Sequence, residues 1–215
     1  MKTTMKHSLR VLATVIAMVA VLFTAAAKKP ALTEKEKAKI EKQAEKEAKK
    51  VAKELKKEGW KVEQSGLMES VIARHMAKLE IQGLREIIGS ATDKKTRSMC
   101  RKQIQIDVPN AYAKEQSQVV KGVVTNKDRN KDGDESEDFI GEYETRLAME
   151  IAGELVESYS LYRKNPDGSY DMQIYYLVDP EQAHAAKLRA AKHAMELQKL
   201  DDEWRQSISD AINQD

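Results

Sequence analysis

The chain has 215 residues, with 37 Lys and Arg against 35 Asp and Glu, a formal net charge of +2 and only 5% aromatic residues. Three of the positive charges, Lys2, Lys6 and Arg10, sit in the first ten residues. The remainder is therefore near neutral, at about 2 − 3 = −1, and lacks the basic excess that a nucleic-acid-binding domain needs. The single cysteine, Cys100, excludes an intramolecular disulfide; a thiol enzyme would need a partner His or a resolving Cys, and the lone Cys reads as a small buried or semi-exposed residue.

From Val11 to Ala27 the chain is apolar apart from two threonines, and it leaves that run through Ala25-Ala26-Ala27. A basic head, an apolar body and an Ala-x-Ala exit form the layout of a secretory signal. Residues 1–27 are thus expected to direct export to the periplasm or cell envelope, with cleavage before Lys28. The competing expectation is an uncleaved anchor, since an apolar run of about 17 residues is at the short end of what crosses a bilayer. No cysteine lies near the junction to carry a lipid. Beyond it 215 − 27 = 188 residues remain, enough for one domain with helical extensions.

Residues 28–58 are expected to form a charged helix. Thr33 and Glu36 have the spacing of a capping box, and Ile40, Ala44, Ala48, Val51 and Leu55 make one narrow apolar stripe. Twelve Lys against seven Glu give the segment 12 − 7 = +5. That excess fits either a solvated spacer docked along the domain or a face for anionic lipid or wall polymer, and the spacer is the preferred reading. Gly59 ends the helix, and Trp60-Lys61-Val62-Glu63 alternates as a short strand. Met68, Ile72, Met76, Leu79, Gly83 and Ile87 then return to a helical period, so a helix is expected over 67–88, closed at Gly89-Ser90. His75 lies beside that stripe with no acid or second His at metal-ligand spacing and reads as a packed or boundary histidine.

From Ala91 to Val124 the pattern is mixed: alternation in "KQIQIDV", an interruption at Pro109, and a helix expected from Asn110. The acidic stretch "NKDRNKDGDESED" places Asp128, Asn130, Asp132 and Gly133 at positions one, three, five and six of a calcium loop, followed by Asp134. That loop closes on a bidentate Glu at position twelve, which here is Phe139. A solvated acidic loop is therefore the preferred reading, calcium the lesser one, and no other cofactor is expected. A third helix is expected from Asp138 to Gly153. "LEIQG" (79–83) and "MEIAG" (149–153) each end an apolar helical stretch in glycine, where helix backbone would approach a sheet closely.

"LVESYSLYRKNPDGSYDMQIYYLVDP" is two alternating runs around Asn165-Pro166-Asp167-Gly168, a β-hairpin, with Tyr170, Met172, Ile174, Tyr176 and Val178 on its buried face. Tyr159, Tyr162, Tyr170 and Tyr175, with Trp204 further on, are the candidate binding residues; the strand tyrosines would form a platform on which sugar rings stack, although half-buried strands favour tyrosine for packing alone. Asp179 caps a last helix over 180–215. Its stripe through Leu188, Met195, Leu200, Trp204 and Ile208 is too long for one small sheet, because a straight helix to Ile212 reaches about 50 Å. The distal half is expected to pack on the 28–58 helix or, as a homo-oligomer, on a second copy of the chain. Together these elements define an α+β domain over 59–179. It is a small antiparallel sheet, with Trp60–Glu63 beside the hairpin, covered on one face by two or three helices, and with long helices at both ends.

The segments "KKEGWK" (56–61), "ARHMAKLEIQGLREI" (73–87) and "SYDMQIYYLVDPE" (169–181) resemble uncharacterised bacterial envelope proteins of gut anaerobes. The layout is also similar to small envelope lipoproteins and to flagellar ring amino-terminal domains, in which helices pack on a short sheet. The resemblance covers roughly residues 50–182 and departs from the pattern at the missing lipid-bearing cysteine and at the acidic insert around 128–138. It implies a structural or binding module for another envelope protein or glycan, and it carries over no catalytic residue. A periplasmic hydrolase or carbohydrate-active enzyme is the alternative. It would need a nucleophile with its base, a paired-carboxylate pocket or a metal cluster, and none is legible in the order of the residues, so a non-enzymatic exported protein is expected.

Overall fold

The computed structural model of the chain describes residues 32–127, 134–198 and 202–214. In chain order these form α1 (Glu34–Lys57), β1 (Lys61–Val62), α2 (Met68–Gln82), β2 (Arg85–Lys94), α3 (Arg97–Lys127), α4 (Asp134–Glu154), β3 (Val156–Lys164), β4 (Tyr170–Val178), α5 (Pro180–Leu197) and α6 (Asp202–Gln214). The fold is α+β. The expected leader, 1–27, lies outside the described residues.

The capping box at the start of α1 forms as its spacing requires: Thr33 Oγ1 accepts from the Glu36 N–H at 3.3 Å, and the Glu36 carboxylate accepts from the Thr33 N–H at 2.8 Å. The seam of α1 is Ala44, Ala48 and Ala52, all buried, and these short side chains let it lie closely along α2. Lys56 Nζ meets Glu69 at 2.9 Å where the two helices turn.

The helix expected over 67–88 stops earlier. Gly83 takes the left-handed conformation, φ +67°, at the C-cap of α2, a position glycine fills without steric cost. The chain then turns extended, and 85–94 becomes a strand where a helix was expected to run on to Gly89-Ser90. β2 runs antiparallel to β4, with Arg85 opposite Val178 and Ala91 opposite Met172. Ile87 and Ile88 suit either state; the open side of β4 makes them a strand.

All pairings are antiparallel, in the order β1-β3-β4-β2. β1 adds to β3 with Lys61 opposite Tyr162, as expected of the Trp60–Glu63 segment. The hairpin closes through Asn165 N–H to Ser169 O at 2.8 Å and Gly168 N–H to Asn165 O at 3.0 Å, with Gly168 at φ +89°. A buried carboxylate holds this end of the sheet together. Asp171 accepts from Arg163 Nε at 2.8 Å, Asn165 Nδ2 at 2.9 Å and the Asp93 N–H at 3.1 Å, and so links β3, the turn and the irregularity in β2. Burial alone would raise its pKa, but those hydrogen bonds and the Arg163 charge hold it below the ordinary value.

Helices cover both faces of this sheet, not one. Met172, Ile174 and Tyr176 pack against Cys100, Ile104 and Val108 of α3. On the opposite face Tyr159, Leu161 and Tyr175 pack with Ala48 and Ala52 of α1 and Val71 and Ile72 of α2. The glycine that permits close helix–sheet approach is Gly89. A Cβ built there would stand 2.3 Å from Ile104 Cγ2 and 2.4 Å from Val108 Cγ2, whereas a Cβ at Gly83 or Gly153, the glycines of the two echoed segments, meets nothing within 4 Å.

Two further expectations change at the carboxyl-terminal half. α3 runs without interruption through Pro109, although proline removes one backbone donor and usually breaks a helix. It is kept helical from both sides. Ile104 and Val108 before the proline are buried on the sheet, and Ala113, Val120 and Val124 after it belong to a second core with Phe139, Tyr143 and Leu147 of α4 and the alanines of α5. The last helix is not a single rod. α5 ends at Leu197, and α6 packs on α3 and α5, where Ile208 and Ile212 are fully buried and Trp204 lies alongside. The expected pairing with α1 is not made, because the stripe finds its partner closer by, in the helices of its own half.

The seat of α3 on Gly89 gives the first prediction. Gly89→Ala should cost about 1–3 kcal/mol, because the stiff branched side chains of Ile104 and Val108 must move. Adding Val108→Ala should cost less than the sum of the two single changes. An unchanged melting temperature for Gly89→Ala would rule out the close approach.

Candidate functional site

Antiparallel geometry sets which groups of β2 are free. In such a ladder bonded and non-bonded pairs alternate, and Asn165 with Ser169 is a bonded pair. Counting outward, Asp171, Gln173 and Tyr175 bond toward β3, whereas Met172, Ile174 and Tyr176 bond toward β2. On β2 the partners of that second set, Ile87, Gly89 and Ala91, turn their N–H and C=O inward. Glu86, Ile88 and Ser90 therefore turn theirs outward, along an edge that pairs with no other described strand.

The same residues present their side chains on the α1–α2 side of the sheet, since Gly89 and Ala91 face α3. α2 packs over β3 and leaves the β2 side open. Ile88 is 41% exposed, Ser90 and Thr92 are exposed, and Gln173 and Tyr175 are half-buried. Across the ladder Ile88 stands opposite Tyr175 and Ser90 opposite Gln173, and the Tyr175 hydroxyl donates to Gln173 Oε1 at 3.0 Å. The result is a ten-residue edge strand flanked by a shallow mixed surface.

Behind that surface His75 of α2 is buried at 2% exposure. Its Nε2 lies 2.5 Å from a Glu86 carboxylate oxygen, which ties α2 to the edge strand. The imidazole stands edge-on to Tyr159 at 5.1 Å and Tyr175 at 5.9 Å, and those two rings stack at 4.2 Å. With Nε2 donating to Glu86, the buried Nδ1 keeps a lone pair that no described group satisfies. Burial raises the phenol pKa of both tyrosines, that of Tyr175 to about 12. A histidine oriented by a carboxylate is the pairing a general base needs, but here the free nitrogen is sealed inside the core.

The candidate binding tyrosines do not form one platform. Tyr159 is buried and Tyr175 half-buried in this cluster. Tyr162 and Tyr170 point to the α3 side, with the Arg97 guanidinium 4.5 Å over the Tyr162 ring and Lys164 Nζ 5.8 Å over Tyr170. Trp204 belongs to the helical core built around α4 and α5. Strand alternation separates residues of odd and even number, so tyrosines adjacent in sequence part to opposite faces.

Of the candidate calcium ligands, Asp128, Asn130 and Asp132 lie outside the described residues. Asp134 is the first residue of α4, so the carbonyl that position seven would offer a cation is taken into the helix, and Phe139 at position twelve is fully buried. Among the described residues no group of three or more His, Cys, Asp and Glu side chains is placed to hold a metal ion. The His75–Glu86 pair escapes sequence reasoning for a plain reason. A helix through both residues would set them about 16 Å apart, and only the turn at Gly83 brings them together.

No protein-family model, curated protein or solved structure matches the chain. Among the described residues no helix is long and apolar enough to cross a membrane.

The tyrosine cluster predicts a pH dependence. Tyr175 titrates near 12 in the fold against 10.0 ordinarily, so its protonated form is favoured by folding. That stabilisation is complete below pH 10.0 and fades as pH rises to about 12. Denaturant unfolding should therefore show the native chain losing stability relative to Tyr175→Phe over this window. A constant difference between the two would count against burial of the phenol.

Proposed function

We propose that this chain is an exported, non-enzymatic protein of the cell envelope that binds another envelope protein by adding an extended segment of it along β2. The leader pattern of residues 1–27 supports export. The observation that carries the binding mode is the open edge of β2, where the pairing groups of Glu86, Ile88 and Ser90 face outward beside the exposed Ile88 side chain. On the side away from β4, the outward N–H and C=O groups of Glu86, Ile88 and Ser90 offer main-chain hydrogen bonds for affinity, and the alternate side chains beside them offer selectivity. An edge of this length, which pairs with no other strand among the described residues, is otherwise a liability for aggregation.

The reading as a periplasmic hydrolase has one observation in its favour, the carboxylate-oriented His75 with its unsatisfied Nδ1. It requires α2 to move before a substrate reaches that nitrogen, so the binding module is preferred.

A photo-crosslinking side chain at Ile88, in the chain expressed with its leader, should capture a discrete envelope protein, and the mature amino terminus should begin at or near Lys28. Ser90→Pro removes an outward N–H, which an edge strand tolerates. It should abolish the crosslink while lowering stability by less than about 1 kcal/mol. A crosslink unaffected by that change would exclude strand addition as the mode of binding. Recovery of the protein in the cytoplasm with Met1 intact would exclude export.

A further inference from the structure

The charge of α1 is sorted by face. At about 100° of rotation per residue, nine of its ten lysines, all but Lys37, fall within a sector about 120° wide, opposite the alanine seam that meets α2. Ala38 is the one other residue in that sector, and all six glutamates of the helix lie on its two flanks. Each of the nine lysines is exposed. Lys56 pairs with Glu69 and Lys57 with Glu54; the other seven have no acid within ion-pairing distance among the described residues. From Lys35 to Lys57 the ridge is about 33 Å long.

Solubility alone does not call for this arrangement. Lysines repeated at three and four residues repel one another and weaken the helix, and a solvated helix does better with both signs interspersed. The sorting has a cost, and a counter-surface of negative charge would offset it.

We propose that this ridge docks the protein on an anionic phospholipid bilayer. Where Lys49, Lys53, Lys56 and Lys57 border Glu69 the surface has a shallow, open depression, which does not enclose a linear polymer, whereas the flexible lysine stems can reach a plane together. The charges are all ammonium groups, which act as hydrated point charges; the bidentate recognition that arginine would bring is missing. No aromatic residue interrupts the ridge, so it lacks the stacking that single-stranded nucleic acid uses. The interaction is thus electrostatic and salt-sensitive, held at the headgroup surface without insertion. It stands on α1 alone and leaves the strand-addition reading unaffected if it fails.

The test uses the chain from Lys28, which retains the compact unit 33–215, with vesicles of phosphatidylcholine alone or with about one-third phosphatidylglycerol. Co-sedimentation should be more than about tenfold stronger with the anionic vesicles and should be lost on raising salt from about 0.05 to 0.5 M. K35Q, K42Q, K46Q and K53Q together should remove most of the binding, and K35R, K42R, K46R and K53R together should keep it, with circular dichroism confirming an intact helix in both. Equal binding to both vesicle types, no binding, or full binding by the Gln variant would each overturn the proposal. Capture of soluble polyphosphate without vesicle binding would also overturn it and would assign the ridge to a polymer.

Discussion

The contact between α3 and the backbone at Gly89 organises the molecule. Ile104 and Val108 occupy the space that any side chain on residue 89 would fill, so α3 lies directly on β2 and β4. One consequence is local: with Gly89 and Ala91 facing α3, Glu86, Ile88 and Ser90 are turned to the other side and to the free edge. The other reaches further. α3 is long enough to leave the sheet beyond Pro109 and become the wall against which α4 and α6 pack, with α5 packed on both of those helices. One helix thus connects the sheet core with the carboxyl-terminal helical core, and its seat on glycine fixes where both begin.

The opposite face is built more lightly. α1 contributes mainly alanines to its seam, so the pair α1–α2 gains contact through closeness instead of side-chain volume, and each small side chain buries little apolar area. What anchors that layer are specific groups: Trp60 where the chain leaves α1, with the Arg163 guanidinium 4.8 Å over its ring, and the bond from His75 to Glu86. The opposite pole of α1 is then free to carry charge. The two surfaces proposed for binding, the β2 edge and the lysine ridge, are both what this layer leaves exposed: the first because α2 lies over β3 and meets β2 at Glu86, the second because α2 is the helix that packs along α1 among the described residues.

Some of this was legible from the residues alone, for reasons that stay within a few positions of the chain. Thr33 with Glu36, Asn165-Pro166-Asp167-Gly168 and Asp179 before Pro180 each satisfy backbone groups of their own neighbourhood, and all three appear where the sequence places them. The alternation of Met172, Ile174 and Tyr176 likewise marks a buried strand face. The site was less legible. Glu86 and Ile88 lie in a segment whose apolar spacing suits a helix, and their role depends on β4, some 90 residues later in the chain. The tyrosines were visible as a group, but their division between two faces follows from strand parity on a sheet covered from both sides.

The sequence by itself determined the caps, the turns, the hairpin and the one-sided charge of α1, since each depends on hydrogen bonds or periodicity within a turn or two. Only the tertiary structure decided that Gly83 ends a helix, that Pro109 does not, that the last stripe folds back as α6, and that His75 meets Glu86. In each of these cases the local signal supports two conformations of similar free energy, and the choice falls to whichever one buries its apolar face against a partner far away in the chain.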